Sequence, residues 1–293
     1  MAADDIEKLP LVVIVGPTAS GKTALAIKLA EQCGGEIICA DSRTVYKEID
    51  VGTAKPTAAE QHQVPHWGLD LVRPDQRFTA ADFKLYAEQK IKEIRERGHI
   101  PFVVGGTGLY VDGVVYDYKF GNDVNATIRA KFENMTLEQL QVYCIKNNIT
   151  LPENNKNKRY VIRAIENMGH STSRNDTPVS TSIIVGIATE KDVLRQRIEQ
   201  RIEQLLTNGV VEEASMLGKK YGWDVPAMTG NIYPLVHQYL ESKLMLDELK
   251  TKSTTLDWRL AKRQLTWFRR NPDIYWLSLE EAEQFISRQL ASE

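Results

Sequence analysis

The sequence is poor in residues that staple a chain or bind metal. Three cysteines occur in 293 residues, an odd number without a Cys-x-x-Cys pair. That argues against a disulfide framework or a structural zinc site and suits a reducing cytoplasm. The five histidines show no metal-ligand spacing. No apolar run approaches the ~18–20 residues of a membrane span. The first eight residues are acidic and lack the basic-then-apolar order of a signal peptide. No segment repeats at a fixed period. Excess charge is missing too: Lys plus Arg number 37 against 39 Asp plus Glu, leaving −2. A uniformly basic nucleic-acid coat is excluded, a local basic face is not. The total hides acidic chain ends, since residues 9–277 carry +3 and residues 256–270 alone carry +4.

What is present fits one large domain, or a core with an added lobe. The 42% of apolar residues suffice for a sizeable core. The first half alternates strand-like runs (11–15, 36–40, 101–104) with helical stretches (23–32, 80–98), the pattern of a parallel sheet flanked by helices. After about Val115 the chain turns polar and rich in Asn and Lys, with helical spacing near 126–132, 136–146 and 158–168. We read 117–170 as a small helical insertion in a core made of 1–116 and 171–293. A Ser/Thr-rich link at 169–182 leads back to a buried strand at 183–188. The remainder is mainly helical, including 194–206, with a late strand at 274–277.

The strongest chemical signal is Gly16-Pro17-Thr18-Ala19-Ser20-Gly21-Lys22-Thr23, which fits G-x-x-x-x-G-K-[ST] between a strand and a helix. Backbone amides and the helix N-terminus can surround phosphate there, with Lys22 neutralising its oxygens and Thr23 holding Mg²⁺. The loop does not say whose phosphates it holds. Asp41 ends the second strand and Thr107 follows the Gly-Gly ending the third. Ligands of open parallel sheets sit beyond the carboxyl ends of the strands, so both can share the P-loop crevice; a helix cap and a turn residue are the plain alternatives. Arg197 and Arg201 flank a buried helical stripe without an intrahelical acid partner, which suits a phosphate contact as well as an ordinary surface. Lys156, Lys158, Arg159 and Arg163 form one basic cluster. Residues 258–270 interleave five cations with three aromatics, a composition for contacting RNA, or an amphipathic helix with Trp267 and Phe268 in the core.

Together these residues resemble the tRNA dimethylallyltransferases (tRNA isopentenyltransferases). The carriers are the P-loop, Asp41-Ser42, Val45-Tyr46, Asp50-Val51-Gly52-Thr53-Ala54-Lys55-Pro56, Pro65-His66 and Ala80-Ala81-Asp82-Phe83. Gly105-Gly106-Thr107-Gly108-Leu109-Tyr110, Arg163-Ala164-Ile165-Glu166 and Ala261-Lys262-Arg263-Gln264-Leu265-Thr266-Trp267-Phe268-Arg269 complete the set, in family order across nearly the whole chain. The lack of a zinc-finger extension matches the bacterial type.

The resemblance implies a P-loop NTPase-like α/β core whose loop holds dimethylallyl diphosphate, with Mg²⁺ as cofactor. The acceptor is N6 of the adenosine 3′ to the tRNA anticodon. It further implies Asp41 as base, Thr107 between diphosphate and acceptor, and Arg201, with Arg197 second, on the diphosphate. Ser42, Arg43, Thr44, Arg129, Arg159, Arg163, Lys262 and Arg263 are the expected tRNA contacts. The expected enzyme is a cytoplasmic monomer without membrane contact. This chain has Arg43-Thr44 where the family usually has Met-Gln, Arg159-Tyr160 for Arg-Arg, and Ile232-Tyr233-Pro234 for Gly-Tyr-Lys/Arg. A kinase of a small metabolite, an adenylate isopentenyltransferase and a non-catalytic RNA-binding protein remain open as alternatives.

Overall fold

The computed structural model describes residues 9–121, 126–168, 173–179 and 181–292. The acidic first eight residues and parts of the Ser/Thr-rich link lie outside them. The chain divides into two compact units, residues 1–115 with 178–293, and residues 116–177.

The larger unit is built on six parallel strands: β1 Leu11–Val15, β2 Gly35–Ala40, β3 His66–Trp67, β4 Ile100–Gly105, β5 Ser182–Ile187 and β6 Tyr275–Leu277. Their order is β3-β2-β4-β1-β5-β6. The middle strands read as unbroken apolar runs because helices cover both faces. Val12, Ile14, Phe102 and Val185 pack with Leu25 and Leu29 of α1 (Lys22–Cys33) and Ile286 of α12 (Leu279–Ala291). Helix α3 (Ala80–Glu96) buries Phe83, Ala87, Ile91 and Ile94, the stripe its spacing predicts. Phe83 stacks on Tyr110 of α4 (Gly108–Val115), with ring centroids 4.2 Å apart.

Order β2-β4-β1 places the ends of three strands side by side although β1 and β2 are consecutive in sequence. The backbones close tightly there. A Cβ on Gly105 would run into the Ala40 carbonyl, so only glycine allows this register. Further helices follow β5: α8 Lys191–Thr207, α9 Val210–Tyr221, a 3₁₀ turn at Pro226–Thr229, α10 Tyr233–Leu240 and the long α11 Leu246–Phe268. Helix α2 (Ala58–Gln63) precedes β3.

The smaller unit holds α5 Ala126–Glu133, α6 Leu137–Lys146 and α7 Lys158–Glu166. Leu140 and Cys144 pack with Phe132, Val161 and Ile165 in a core of its own. Residues expected in the returning link are fastened to this unit: the Lys119 amide donates to the Ser173 carbonyl and the Asn175 amide to the Tyr116 carbonyl, each at 2.8 Å. None of the helices among the described residues is long and apolar enough to cross a membrane.

Candidate active site

Helices α2, α3, α6 and α12 each begin with a capping box, in which a Ser or Thr and an acid or amide close the first turn. Helix α1, like α8, α9 and α10, begins without one. Its cap is Gly21, at φ +90°, with no side-chain cap, so its first amides are left for an outside acceptor. Only glycine holds that φ without strain, and a Cβ there would also press on Leu279. The Ser20 hydroxyl is buried without a hydrogen-bond partner. Such a terminus favours an anion.

Three charged side chains meet above it. Lys22 donates to the Pro17 carbonyl at 3.2 Å. Burial pushes its ammonium down to about 8, with Asp41 opposing the shift and Arg201 adding to it. The lysine therefore senses both residues although the three are far apart in sequence. Asp41 leaves β2 and accepts the Arg43 amide at 2.7 Å. Thr107 brackets it: the Thr107 amide donates to the Ala40 carbonyl at 3.1 Å, and its hydroxyl accepts the Ser42 amide at 3.0 Å. That hydroxyl keeps its own proton to donate. The neighbouring Cys39 thiol is buried, which pushes it up to about 12 and leaves it inert.

Helix α8 supplies both arginines. Arg197 Nη1 donates to the Ser20 carbonyl at 3.2 Å, beneath the loop. Arg201 Nη2 donates to the Thr53 carbonyl at 3.0 Å, and its Nε is buried with no partner. Thus the P-loop, Asp41, Thr107, Arg197 and Arg201 come together in the larger unit.

The remaining expected contacts are placed as follows. Thr44 is buried, 6% exposed, with its hydroxyl 3.4 Å from the Asp41 carbonyl. Arg43 is committed to the Pro226 carbonyl and the Thr229 hydroxyl, at 3.2 and 3.0 Å, and anchors the 3₁₀ turn. Phe268 is core, but Trp267 is only half-buried, its indole N–H reaching Asp112 at 3.0 Å. Lys262 and Arg263 are exposed on α11. In the smaller unit Arg129 pairs with Glu133 and Glu166 (3.0 and 3.5 Å), and Arg163 pairs with Glu166 at 3.2 Å. Arg159 is exposed and lines a concavity with Arg129, Lys158 and Ile162.

Gln264 has a site role that its motif alone does not give. Gln264 of α11 accepts the P-loop amide of Thr18 at 2.8 Å and donates to the Gly106 carbonyl at 3.1 Å, joining the loop to the end of β4. The signal existed: Gln264 interrupts the inward stripe Ala261, Leu265 and Phe268, and a polar residue there needs an inward partner.

A glycine-rich loop opening a helix at the carboxyl end of a parallel strand, faced by a carboxylate and an arginine, places the chain among the P-loop α/β proteins. The comparisons narrow that class. The family described as IPP transferase matches residues 44–271, and that described as isopentenyl transferase matches residues 9–72. The tRNA dimethylallyltransferase of Bacillus cereus (strain AH187) is 35% identical over 297 residues, covering 96% of this chain and 93% of that protein. The full-length tRNA isopentenylpyrophosphate transferase of Bacillus halodurans superposes with a TM-score of 0.75 at 34% identity, over 97% of this chain and 98% of that one. The Staphylococcus epidermidis tRNA isopentenylpyrophosphate transferase gives 0.72 at 28% identity, over 97% and 99%. The chain belongs to the IPP transferase family and is a prenyltransferase of tRNA.

Proposed function

We propose that the chain transfers the dimethylallyl group of dimethylallyl diphosphate to N6 of the adenosine 3′ to the tRNA anticodon, releasing diphosphate. The observation that carries this reading is the uncapped N-terminus of α1, with Lys22, Asp41 and Arg201 coupled above it. An adenine amino group is a weak nucleophile because its lone pair is delocalised into the ring. Catalysis must therefore ease departure of the leaving group.

The α1 amides, Lys22 and Arg201 (with Arg197 behind the loop) stabilise negative charge building on diphosphate as the allylic C–O bond breaks. Asp41 orients the N6 amine and takes its proton as the C–N bond forms. The Thr107 hydroxyl donates to the diphosphate beside it. The donor set also suits Mg²⁺: Thr23 offers a hydroxyl in the first turn of α1, and no cluster of three or more His, Cys, Asp or Glu exists among the described residues. Mg²⁺ takes most ligands from phosphates and water, so Thr23 would supply one protein ligand and the ion would neutralise phosphate charge. Arg159, Lys262 and Arg263 are exposed cations available to tRNA phosphates.

The test is incubation with total tRNA, Mg²⁺ and labelled dimethylallyl diphosphate, followed by nucleoside analysis. Label in N6-dimethylallyladenosine is expected. Label on AMP but not on tRNA would instead make the chain an adenylate isopentenyltransferase.

A further inference from the structure

The element that fixes Arg201 lies outside the crevice. Glu213, on α9, turns its carboxylate towards the loop after Ile49. Oε2 accepts the Asp50 and Val51 amides, each at 2.7 Å, and Oε1 accepts the Gly52 amide at 2.9 Å and the Tyr233 hydroxyl at 2.7 Å. A carboxylate meeting three successive amides and a phenol gains charge-assisted bonds that a neutral acceptor cannot match. Gly52 is part of the fit, since a Cβ there would press against the Tyr233 ring and hydroxyl.

The next residue carries the consequence. The Thr53 hydroxyl donates to the Ile49 carbonyl at 2.7 Å, and the Thr53 carbonyl accepts Arg201 Nη2 at 3.0 Å. This is the one hydrogen bond from the Arg201 guanidinium to protein among the described residues, and its Nε is buried without a partner. A guanidinium held by one carbonyl points where that carbonyl sends it. Fixed direction matters, because preorganised donors stabilise developing charge without reorganising during the reaction.

We propose that Glu213 is a positioning residue for the leaving group: by clamping the 50–52 amides it holds the Thr53 carbonyl, which aims Arg201 at the diphosphate. Tyr233 supports the same clamp from α10. The inference rests on the reading of Arg201 as a diphosphate ligand given above. A purely structural Glu213 would lower stability without regard to what Arg201 does.

A double-mutant cycle on the full chain separates the two. The variants are Glu213→Gln, Arg201→Ala and the pair, with inorganic diphosphate affinity by calorimetry and single-turnover transfer as readouts, and thermal melting as the folding control. Loss of one bond to a charged group weakens binding about tenfold or more. Arg201→Ala is therefore expected to weaken diphosphate at least about thirtyfold and Glu213→Gln about tenfold. The pair should be no weaker than Arg201→Ala alone. Tyr233→Phe keeps the three amide bonds, so about threefold is expected, again with nothing added to Arg201→Ala. If Glu213→Gln fails to fold, the Tyr233→Phe cycle decides. Undiminished affinity in the clamp variants, or losses that multiply in the pair, overturn the positioning role. Undiminished affinity in Arg201→Ala overturns the Arg201 assignment itself, and this inference falls with it.

Discussion

Strand β2 has a carboxylate at each end, and the protein treats them in opposite ways. Glu36, near its start, is 2% exposed and saturated: its oxygens meet Arg97 Nε and Nη2, His99 Nδ1 and Trp67 Nε1 at 2.7–2.9 Å. Burial pushes this carboxyl up, but the bonds from Arg97, His99 and Trp67 outweigh it and hold it below its ordinary value. Asp41, just past the other end, accepts one hydrogen bond among the described residues, from the Arg43 amide. Around it Lys22 is pushed down by burial, and Arg201 keeps a buried N–H without a partner. A satisfied charge cluster fastens the edge strand β3 to β2. The other cluster leaves polar atoms without a protein partner, as the role proposed for Asp41 and Arg201 requires.

The sharpest way to break the comparison is to neutralise both carboxylates in turn. Asp41→Asn should lower prenyl transfer by at least about a hundredfold, the usual loss with a general base, while thermal melting barely moves. Glu36→Ala should do the reverse. Loss of the Arg97 and Trp67 partners costs about 2 kcal/mol after allowance for the half-exposed Arg97, lowering Tm by about 5 °C. Transfer per folded molecule should stay at the wild-type rate. Wild-type turnover in Asp41→Asn would erase the distinction.

Gln264→Ala removes the two neutral hydrogen bonds by which α11 ties the P-loop Thr18 amide to the Gly106 carbonyl just after β4. Diphosphate affinity should fall roughly tenfold, measured by calorimetry against the wild type. A smaller effect comes from pH. Lys22 loses its proton as pH rises through about 8, so diphosphate affinity should weaken several-fold above that pH. Lys22→Arg, charged throughout, should flatten the profile whatever its absolute affinity. Equal slopes in both proteins would show that another group titrates. At the closed end the sign is opposite. The lowered Glu36 carboxyl contributes stability that is present above its ordinary value, 4.5, and is lost as pH falls through the folded value. Melting in mild acid should show that loss in the wild type and a shallower one in Glu36→Ala.

The open end was largely legible in sequence because its parts are tied to regular features. The P-loop is contiguous, and Asp41 and Thr107 end strands recognisable from their apolar runs. What escaped depends on long-range partners. Glu36 reads as the polar start of a strand, and its partner Trp67 sits on a two-residue strand too short for any period. Glu213 looks like an ordinary acid in the first turn of α9. Helix α4 hides for another reason: all of Tyr110–Val115 is buried, so no amphipathic period marks it. The burial of Thr44, whose hydroxyl turns back to the Asp41 carbonyl, likewise carries no mark in the sequence.

The central claim is that the open end of the sheet is completed by the diphosphate of an allylic donor. Calorimetric titration of the full chain with dimethylallyl diphosphate and, separately, with ATP, both in Mg²⁺, tests it most directly. The account predicts stoichiometric binding of dimethylallyl diphosphate that Arg201→Ala weakens. Tight binding of ATP with none of dimethylallyl diphosphate would contradict it.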